Sequence, residues 1–244
     1  MEFMPENAPL VVLSFLGTCF FLGVAGVATV YGLARQRRGL MRIAVTAALA
    51  GAGIYAGLLL AVSLASREKV LGPGELKYFC EVDCHLAYSV VGVTTTKTLG
   101  APPRQATAAG TFYVVKVKTW FDERTISSRR GNAPLWPNPR RITVLAEQGR
   151  EYAESREGRA ALESAAAAQV KNTPLTQPLR PGGSYTTELV FDLPENVKNP
   201  RLLITDADAA RVTHFLIGHE KSFLHKKIFF GLAPQLNSAA IAAP

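Results

Sequence analysis

Two cysteines and a histidine lie within six residues of the stretch KYFCEVDCHLAYSVVGV, at Cys80, Cys84 and His85. Thiolates and imidazoles are ligands for zinc and copper, and a cysteine pair can also form a disulfide or carry out redox chemistry. The backbone decides between these, because four residues of a strand span about 13 Å whereas a disulfide requires Cα atoms roughly 4.4–6.8 Å apart. A straight strand would therefore prevent both a bridge and a tight metal site. A turn at residues 81–83, with a strand starting near His85, would permit either.

Three alternatives follow for this thiol pair. We favour a structural disulfide between Cys80 and Cys84, because an extracytoplasmic compartment is oxidising and the outer domain has no other cysteine. The third cysteine, Cys19, lies in an apolar run that we expect inside the membrane. The second alternative is a pair of unbridged buried thiols, and the third is a metal or redox centre formed by Cys80, Cys84 and His85. We predict no metal and no other cofactor.

The other residue types that could do chemistry do not form a recognisable site. His214, His219 and His225 are five and six residues apart, which is not the spacing of a ligand pair on one element. No methionine follows residue 41, which disfavours a copper site that uses a thioether ligand. The sequence contains no nucleophile elbow, no phosphate-binding glycine loop and no helical His-Glu-x-x-His motif. We therefore expect a protein that is not an enzyme.

Two long uncharged runs precede the cysteine stretch, at 8–34 and 43–66. Each exceeds the roughly 20 residues that a helix needs to cross a bilayer. A cleaved signal peptide is disfavoured, because the chain starts with the acidic stretch MEFMPEN and its apolar run is too long. We predict two transmembrane helices, at about 9–34 and 43–66, within a membrane region 1–70.

Four arginines separate the two runs, in the stretch RQRRGLMR. Short loops rich in arginine stay in the cytoplasm, so this loop is predicted inside and everything after residue 66 outside. This predicts a multi-pass protein of the bacterial inner membrane with an extracytoplasmic, periplasmic C-terminal domain. Although the chain carries a net charge of +8, that location excludes nucleic acid as a partner, and the lipid bilayer is the first partner expected.

Small residues recur four apart in the second run, at Gly53 and Gly57. Such spacing lets two helix backbones approach closely. The simplest use is packing of the hairpin on itself, and the alternative is contact with a helix of another membrane protein.

The remainder of the chain alternates in the manner of strands. TFYVVKVKTWFDE places Tyr113, Val115, Val117, Thr119 and Phe121 on one face. Comparable patterns in RRITVLAEQGREY, GSYTTELVFDLP, RLLITDAD and SFLHKKIFFGL bring the total to about seven short strands, which is typical of an antiparallel sandwich. Residues 101–110 and 129–141 are predicted loops.

One helix is predicted between these strands, at 155–170 with Ser155 as its cap, and we expect it to cover one end of the sandwich. The sandwich is predicted over 71–232, followed by a disordered tail at 233–244.

Four of these segments resemble a bacterial protein family. TFYVVKVKTWF, VLAEQGREYAES, PLRPGGSYTTELVFDLPENV and LLITD are similar to an immunoglobulin-like family of secreted and membrane-anchored proteins, related to the mycobacterial immunoprotective extracellular antigens. The resemblance covers residues 113 to about 206 and implies an all-β immunoglobulin-like sandwich. It implies no catalytic residues, because the shared motifs are packing and turn elements.

These observations predict a membrane-tethered binding or scaffolding module. An accessory subunit of a larger membrane complex is one such module. The predicted contact residues are Trp136, Arg140 and Arg141, because aromatic residues with neighbouring arginines are common anchors at interfaces. The partner expected is another membrane or envelope protein. The opposing interpretation of Trp136 is burial under its own loop. The alternative function is a thiol-redox or copper-handling protein that uses Cys80, Cys84 and His85.

Overall fold

The structure is a computed structural model that describes residues 7–79, 86–125, 129–147, 149–166, 172–207 and 211–234. The chain divides into two compact units. One unit contains two long helices together with the segment Ala209–Lys227, described from residue 211 onward. The other contains Lys69–Asp208 and the chain from Ile228, and it is built from β-strands. The sequence did not predict that a segment between two late strands groups with the N-terminal helices.

Helices α1 (Ala8–Ala34) and α2 (Arg38–Ala65) are each long and apolar enough to cross a membrane. The second helix begins at Arg38 rather than at the predicted residue 43, because arginine favours helix almost as well as leucine. The predicted arginine loop is therefore reduced to residues 35–37, and the remaining arginines belong to the first turns of α2.

Helix α1 contacts α2 at Gly51 rather than at the predicted Gly53 and Gly57. Gly51 lies against the ring of Phe21, where an added Cβ would approach the ring to 2.6 Å. Gly53 and Gly57 have nothing within 4 Å of their Cβ positions. The expectation that Gly53 and Gly57 pack the hairpin on itself is therefore wrong, because they lie on a different side of α2 from Gly51.

In the part of the β unit that the structure describes, nine strands form two sheets. The first sheet has the order β1 (Lys69–Leu71), β9 (Ile228–Gly231), β8 (Arg201–Asp206), β5 (Arg140–Leu145) and β6 (Glu151–Tyr152). The second has the order β2 (Lys77–Phe79), β3 (Leu86–Leu99), β4 (Ala106–Phe121) and β7 (Ser184–Leu193). All pairs are antiparallel except β1 with β9, which is parallel.

The two sheets enclose one hydrophobic core. It contains Val115, Val117 and Phe121 from β4, together with Leu202 and Ile204 from β8. The predicted grouping of residues 113–121 on one face of β4 is confirmed, and so is the predicted alternation along β7, whose buried positions include Thr187, Leu189 and Phe191. The coarse prediction of a two-sheet β-domain is thus correct.

Helix α3 (Arg156–Ala166) lies on the outer face of the second sheet. Its Leu162 packs against a second buried cluster formed by Phe112, Val114 and Val190. The prediction that this helix covers one end of the sandwich is therefore wrong, because these side chains of β4 and β7 point away from the main core and need their own cover. The predicted cap is confirmed, since the Gly158 N–H donates to Ser155 Oγ at 3.1 Å.

Two strand boundaries differ from the predicted ones. The predicted loop 101–110 is shorter, because β4 begins at Ala106, which pairs with Leu99 across a long β3–β4 hairpin. In the predicted strand 222–232 only β9 is extended. Residues 211–227 instead form a 3₁₀ turn, Arg211–Phe215, and a series of further turns.

Candidate functional site

The most prominent exposed aromatic in the β unit is Trp136, with 70% of its surface accessible. Leu135 is fixed beside it by an isolated bridge to Leu179, with N–H···O distances of 2.8 and 3.0 Å. Leu135, Leu179 and Pro137 are buried, so the chain alternates inward, outward and inward through this loop. Trp136 is thus presented outward by a loop whose neighbours are anchored. The interpretation that Trp136 is buried under its own loop is wrong.

The two arginines predicted at the same surface have opposite environments. Arg141 is exposed over 69% of its side chain and lies 3.7 Å from Glu151. The Arg140 side chain is only 1% exposed and forms an ion pair with Asp206. The prediction of Arg140 as a contact residue is therefore wrong, because a guanidinium enclosed in this way cannot reach a partner. We define the Trp136 surface as Trp136 and the exposed Arg180, which follows Leu179 of the bridge, and Arg141 stays a predicted contact residue.

Arg140 instead connects the two sheets. Its guanidinium carbon lies 4.3 Å from the centre of the Phe79 ring and 5.5 Å from that of Tyr88, and its Nε donates to the Tyr88 hydroxyl at 3.3 Å. Arg140 belongs to β5 in the first sheet, whereas both rings belong to the second. Cation–π contacts of this kind are strengthened when the cation is removed from water.

A second cation, Lys77, is buried on the same ring and was not predicted. The Lys77 ammonium lies 5.0 Å from the centre of Phe79 and donates to the carbonyls of Ile204 at 2.7 Å and Ile228 at 3.3 Å. These contacts satisfy the charged group with backbone oxygens of the opposite sheet, which is how a buried charge is tolerated. The sequence offers no signal for it, because Lys77 occupies an ordinary polar position before a short strand.

A polar cluster lies where β4 ends, around Asp122. Its carboxylate accepts bonds from Arg124 Nε at 3.0 Å, from Arg124 Nη2 at 2.8 Å and from the Tyr78 hydroxyl at 2.7 Å. The hydrogen bonds from Arg124 and Tyr78 lower the pKa of Asp122 to about 2, against the opposing effect of burial. The guanidinium of Arg124 also stacks on Trp120, 5.3 Å from the ring centre. Both carboxylate oxygens of Asp122 accept hydrogen bonds from Arg124 or Tyr78, so this cluster ties the end of β4 to β2.

The cysteine stretch itself lies outside the described residues, since residues 80–85 are not described. Its flanks are informative, because Lys77–Phe79 and Leu86–Leu99 are two antiparallel strands in which Phe79 lies opposite Leu86. A single straight strand through residues 77–93 is therefore wrong, and the chain reverses between Phe79 and Leu86. The Cys80–Cys84 disulfide stays a prediction, and nothing in the described residues supports it.

The remaining histidines belong to the helical unit. His219 is buried, and its Nδ1 accepts a bond from the Lys221 N–H at 3.1 Å. His214 Nδ1 lies 2.6 Å from the Lys221 carbonyl. Across the ranges that the structure describes, no three His, Cys, Asp or Glu side chains are grouped so that they could hold a metal ion. The metal alternative at Cys80, Cys84 and His85 falls outside those ranges.

Comparison with known proteins gives two distant structural likenesses. A secreted protein of Mycobacterium tuberculosis, MPT63, is 10% identical with a TM-score of 0.40, over 69% of this chain and 99% of that one. A conserved hypothetical protein from Bacillus anthracis is 13% identical with a TM-score of 0.38, over 52% of this chain and 86% of that one. No protein-family model matches the chain, and no curated protein matches its sequence. At these TM-scores neither likeness assigns the chain to a family.

Proposed function

We propose that this protein is a membrane-tethered binding module of the bacterial inner membrane, with its β-domain outside the cytoplasm and another membrane or envelope protein as its partner. Two apolar helices with four arginines around their connection support the tether, because short arginine-rich connections stay in the cytoplasm. Alkaline phosphatase fused after residue 66 should be active, and the same fusion after residue 39 should be inactive. Activity only after residue 39 would reverse the orientation.

An immunoglobulin-like fold for the β-domain is the finer part of this proposal. In its support, the chain crosses repeatedly between the two sheets, from β4 to β5, from β6 to β7 and from β7 to β8. Sandwiches of this type present loops for recognition, which is an argument from fold analogy. The sequence also contains no combination of nucleophile, base and oxyanion donors. We therefore propose recognition rather than catalysis.

The exposure of Trp136 is the single observation that carries the binding role. A tryptophan with 70% of its surface in water is unfavourable unless another surface covers it, and aromatic residues flanked by arginine are typical anchors of interfaces. The bridge between Leu135 and Leu179 holds the loop in place before binding, so little conformational entropy is lost when a partner docks. Arg141 and Arg180, both exposed, would form a basic rim for acidic groups of the partner.

Pull-down from native membranes after chemical crosslinking tests this role. Wild type and Trp136→Ala are compared with Val91→Ala, which also truncates an exposed apolar side chain of the β unit, 40% accessible on β3. We expect wild type and Val91→Ala to recover the same partner. Trp136→Ala should lose it by roughly thirtyfold, the effect of about 2 kcal/mol at an interface hot spot. Equal recovery by all three would refute the role of Trp136.

A thiol-redox or copper-handling protein is the second candidate, and one observation favours it. The pairing of Phe79 with Leu86 means that Cys80, Cys84 and His85 share one short connection between strands. Mass spectrometry without reduction distinguishes the candidates. A structural disulfide makes the tryptic peptide 78–97 lighter by two hydrogens with no metal bound, whereas stoichiometric copper or zinc in the purified protein would support the second candidate.

A further inference from the structure

The segment 211–227 leaves an unusual set of large apolar side chains exposed. Val212, Phe215, Phe223 and Leu224 are 41%, 47%, 50% and 64% accessible. The Phe215 and Phe223 rings are 5.6 Å apart in an edge-to-face arrangement, so they form one patch. Leu224 has φ +63°, a left-handed conformation that is sterically disfavoured for a residue with a branched side chain. The chain thus adopts a strained backbone at a position where it exposes a leucine.

Two hydrogen bonds fix where this segment lies along α2. At one end the Lys226 N–H donates to Ser66 Oγ at 2.9 Å, immediately after the last residue of the helix. At the other end the Tyr55 hydroxyl donates to the Phe215 carbonyl at 2.7 Å. Tyr55 precedes Ala65 by ten residues, which is about 15 Å along a helix. The segment therefore runs beside the last turns of α2 instead of beyond them.

Those turns belong to the part of α2 that is apolar enough to cross a membrane. The hydrocarbon layer is about 30 Å thick, or roughly 20 helical residues. Measured from Ile43, the first residue after the last arginine of α2, such a layer ends near Ser63. Tyr55 then lies about 12 Å inside it, and the Phe215 carbonyl is bonded at that depth.

Part of the segment's backbone is hydrogen-bonded within the segment, as non-helical chain at this depth requires. Every third N–H group donates to the carbonyl three residues earlier, from Leu216 to Thr213, from His219 to Leu216, from Ser222 to His219 and from His225 to Ser222. The Ser222 hydroxyl also donates to the Leu216 carbonyl. His219 and Ser222 are buried while Phe215, Phe223 and Leu224 are exposed, an arrangement suited to an apolar solvent.

We propose that segment 211–227 is a membrane-embedded loop in which Phe215, Phe223 and Leu224 contact lipid acyl chains of the leaflet at the Ser66 end of α2. The exposed Lys226 and Lys227 lie at that end of the helix, at the level of the headgroup phosphates. The inference rests on the proposed membrane tether. It adds a third element to the membrane part of the molecule.

Tryptophan quenching by brominated phosphatidylcholine tests this in the full chain. Both native tryptophans, Trp120 and Trp136, are replaced by phenylalanine, and one tryptophan is then introduced by Phe215→Trp or Leu224→Trp. The control is Val91→Trp in the β-domain. We expect bromine on the acyl chains to quench emission from positions 215 and 224 and emission there to be blue-shifted. Position 91 should show neither effect.

The outcomes separate this inference from the tether. If the protein floats with the vesicles while positions 215 and 224 behave as position 91 does, the loop is not in the bilayer and the inference is wrong although the tether stands. If the protein does not float with the vesicles, both are wrong. Two probe positions are used so that one still tests the inference if the variant at the other fails to fold. Loss of the β-sheet circular dichroism signal identifies such a variant.

Discussion

Replacement of Arg140 by methionine should destabilise the β-domain strongly. Methionine retains much of the length of the side chain but removes the ion pair with Asp206, the bond to the Tyr88 hydroxyl and the stacking on Phe79. Loss of one partner from a buried pair costs about 3–5 kcal/mol. Asp206 is 26% exposed, so water can solvate part of its carboxylate, and we expect a loss of roughly 2–4 kcal/mol in the free energy of unfolding.

Arg141→Met is the matched control, because it makes the same change at the next residue of the same strand. Arg141 is exposed, and its contact with Glu151 is 3.7 Å long, so that substitution should cost less than about 0.5 kcal/mol. Urea unfolding of the full chain in detergent micelles, followed by tryptophan fluorescence, measures both. With a slope of about 2 kcal/mol/M, Arg140→Met should lower the midpoint by roughly 1–2 M.

A second substitution makes this prediction more specific. In the double variant Arg140→Met with Asp206→Leu, the carboxylate is removed together with its cation, and well-packed apolar replacements of a buried pair are often nearly neutral. The double variant should therefore recover part of the lost stability. Equal midpoints for Arg140→Met and Arg141→Met would refute the view that Arg140 is an interior cation, and would restore it as a candidate contact residue.

Two further predictions concern backbone packing and pH. Gly110→Ala should lower the free energy of unfolding by about 1–3 kcal/mol or more, because the added Cβ would lie 2.0 Å from the carbonyl oxygen of Leu193. Gly92→Ala is a mild control, because no neighbour of its added Cβ lies closer than 3.6 Å. Thermal or urea unfolding measures both. Because Arg124 lowers the pKa of Asp122 to about 2, this carboxylate stabilises the fold above pH 4, and its contribution is lost as pH falls towards 2. Unfolding of wild type and Asp122→Asn is compared at pH 6 and pH 2.5. Between these pH values wild type should lose roughly 1–2 kcal/mol more unfolding free energy than the variant, a value reduced because Arg124 is exposed. The same stability difference between the two proteins at both pH values would contradict this prediction.

The sequence predicts most of the architecture because that architecture depends on short-range periodicity. Two uncharged runs identify the helices, and alternation along β4 and β7 identifies the faces that meet in the core. The reversal between Phe79 and Leu86 could be posed as a question from strand geometry but not answered, because pairing of β2 with β3 is a tertiary event. The same holds for Gly53 and Gly57, whose spacing indicates close packing without indicating which side of α2 meets α1.

The interior cations were beyond prediction for a different reason. Lys77 and Arg140 are buried because particular rings and carbonyls of the opposite sheet surround them, and nothing local distinguishes Arg140 from its exposed neighbour Arg141. Burial of the Phe112 and Val114 face depends likewise on where α3 docks. Trp136 is exposed, but its contact role stays a prediction, and of the two predicted arginines Arg140 is buried while Arg141 is exposed.

Site-specific photo-crosslinking in intact cells tests the central claim most directly. A benzophenone amino acid replaces Trp136, the exposed aromatic that we propose as the anchor, and the same group at position 91 is the control on another exposed site of the β-domain. We expect a discrete protein adduct from position 136 after illumination and none from position 91. Identical patterns from the two positions, or no protein adduct from position 136, would contradict it.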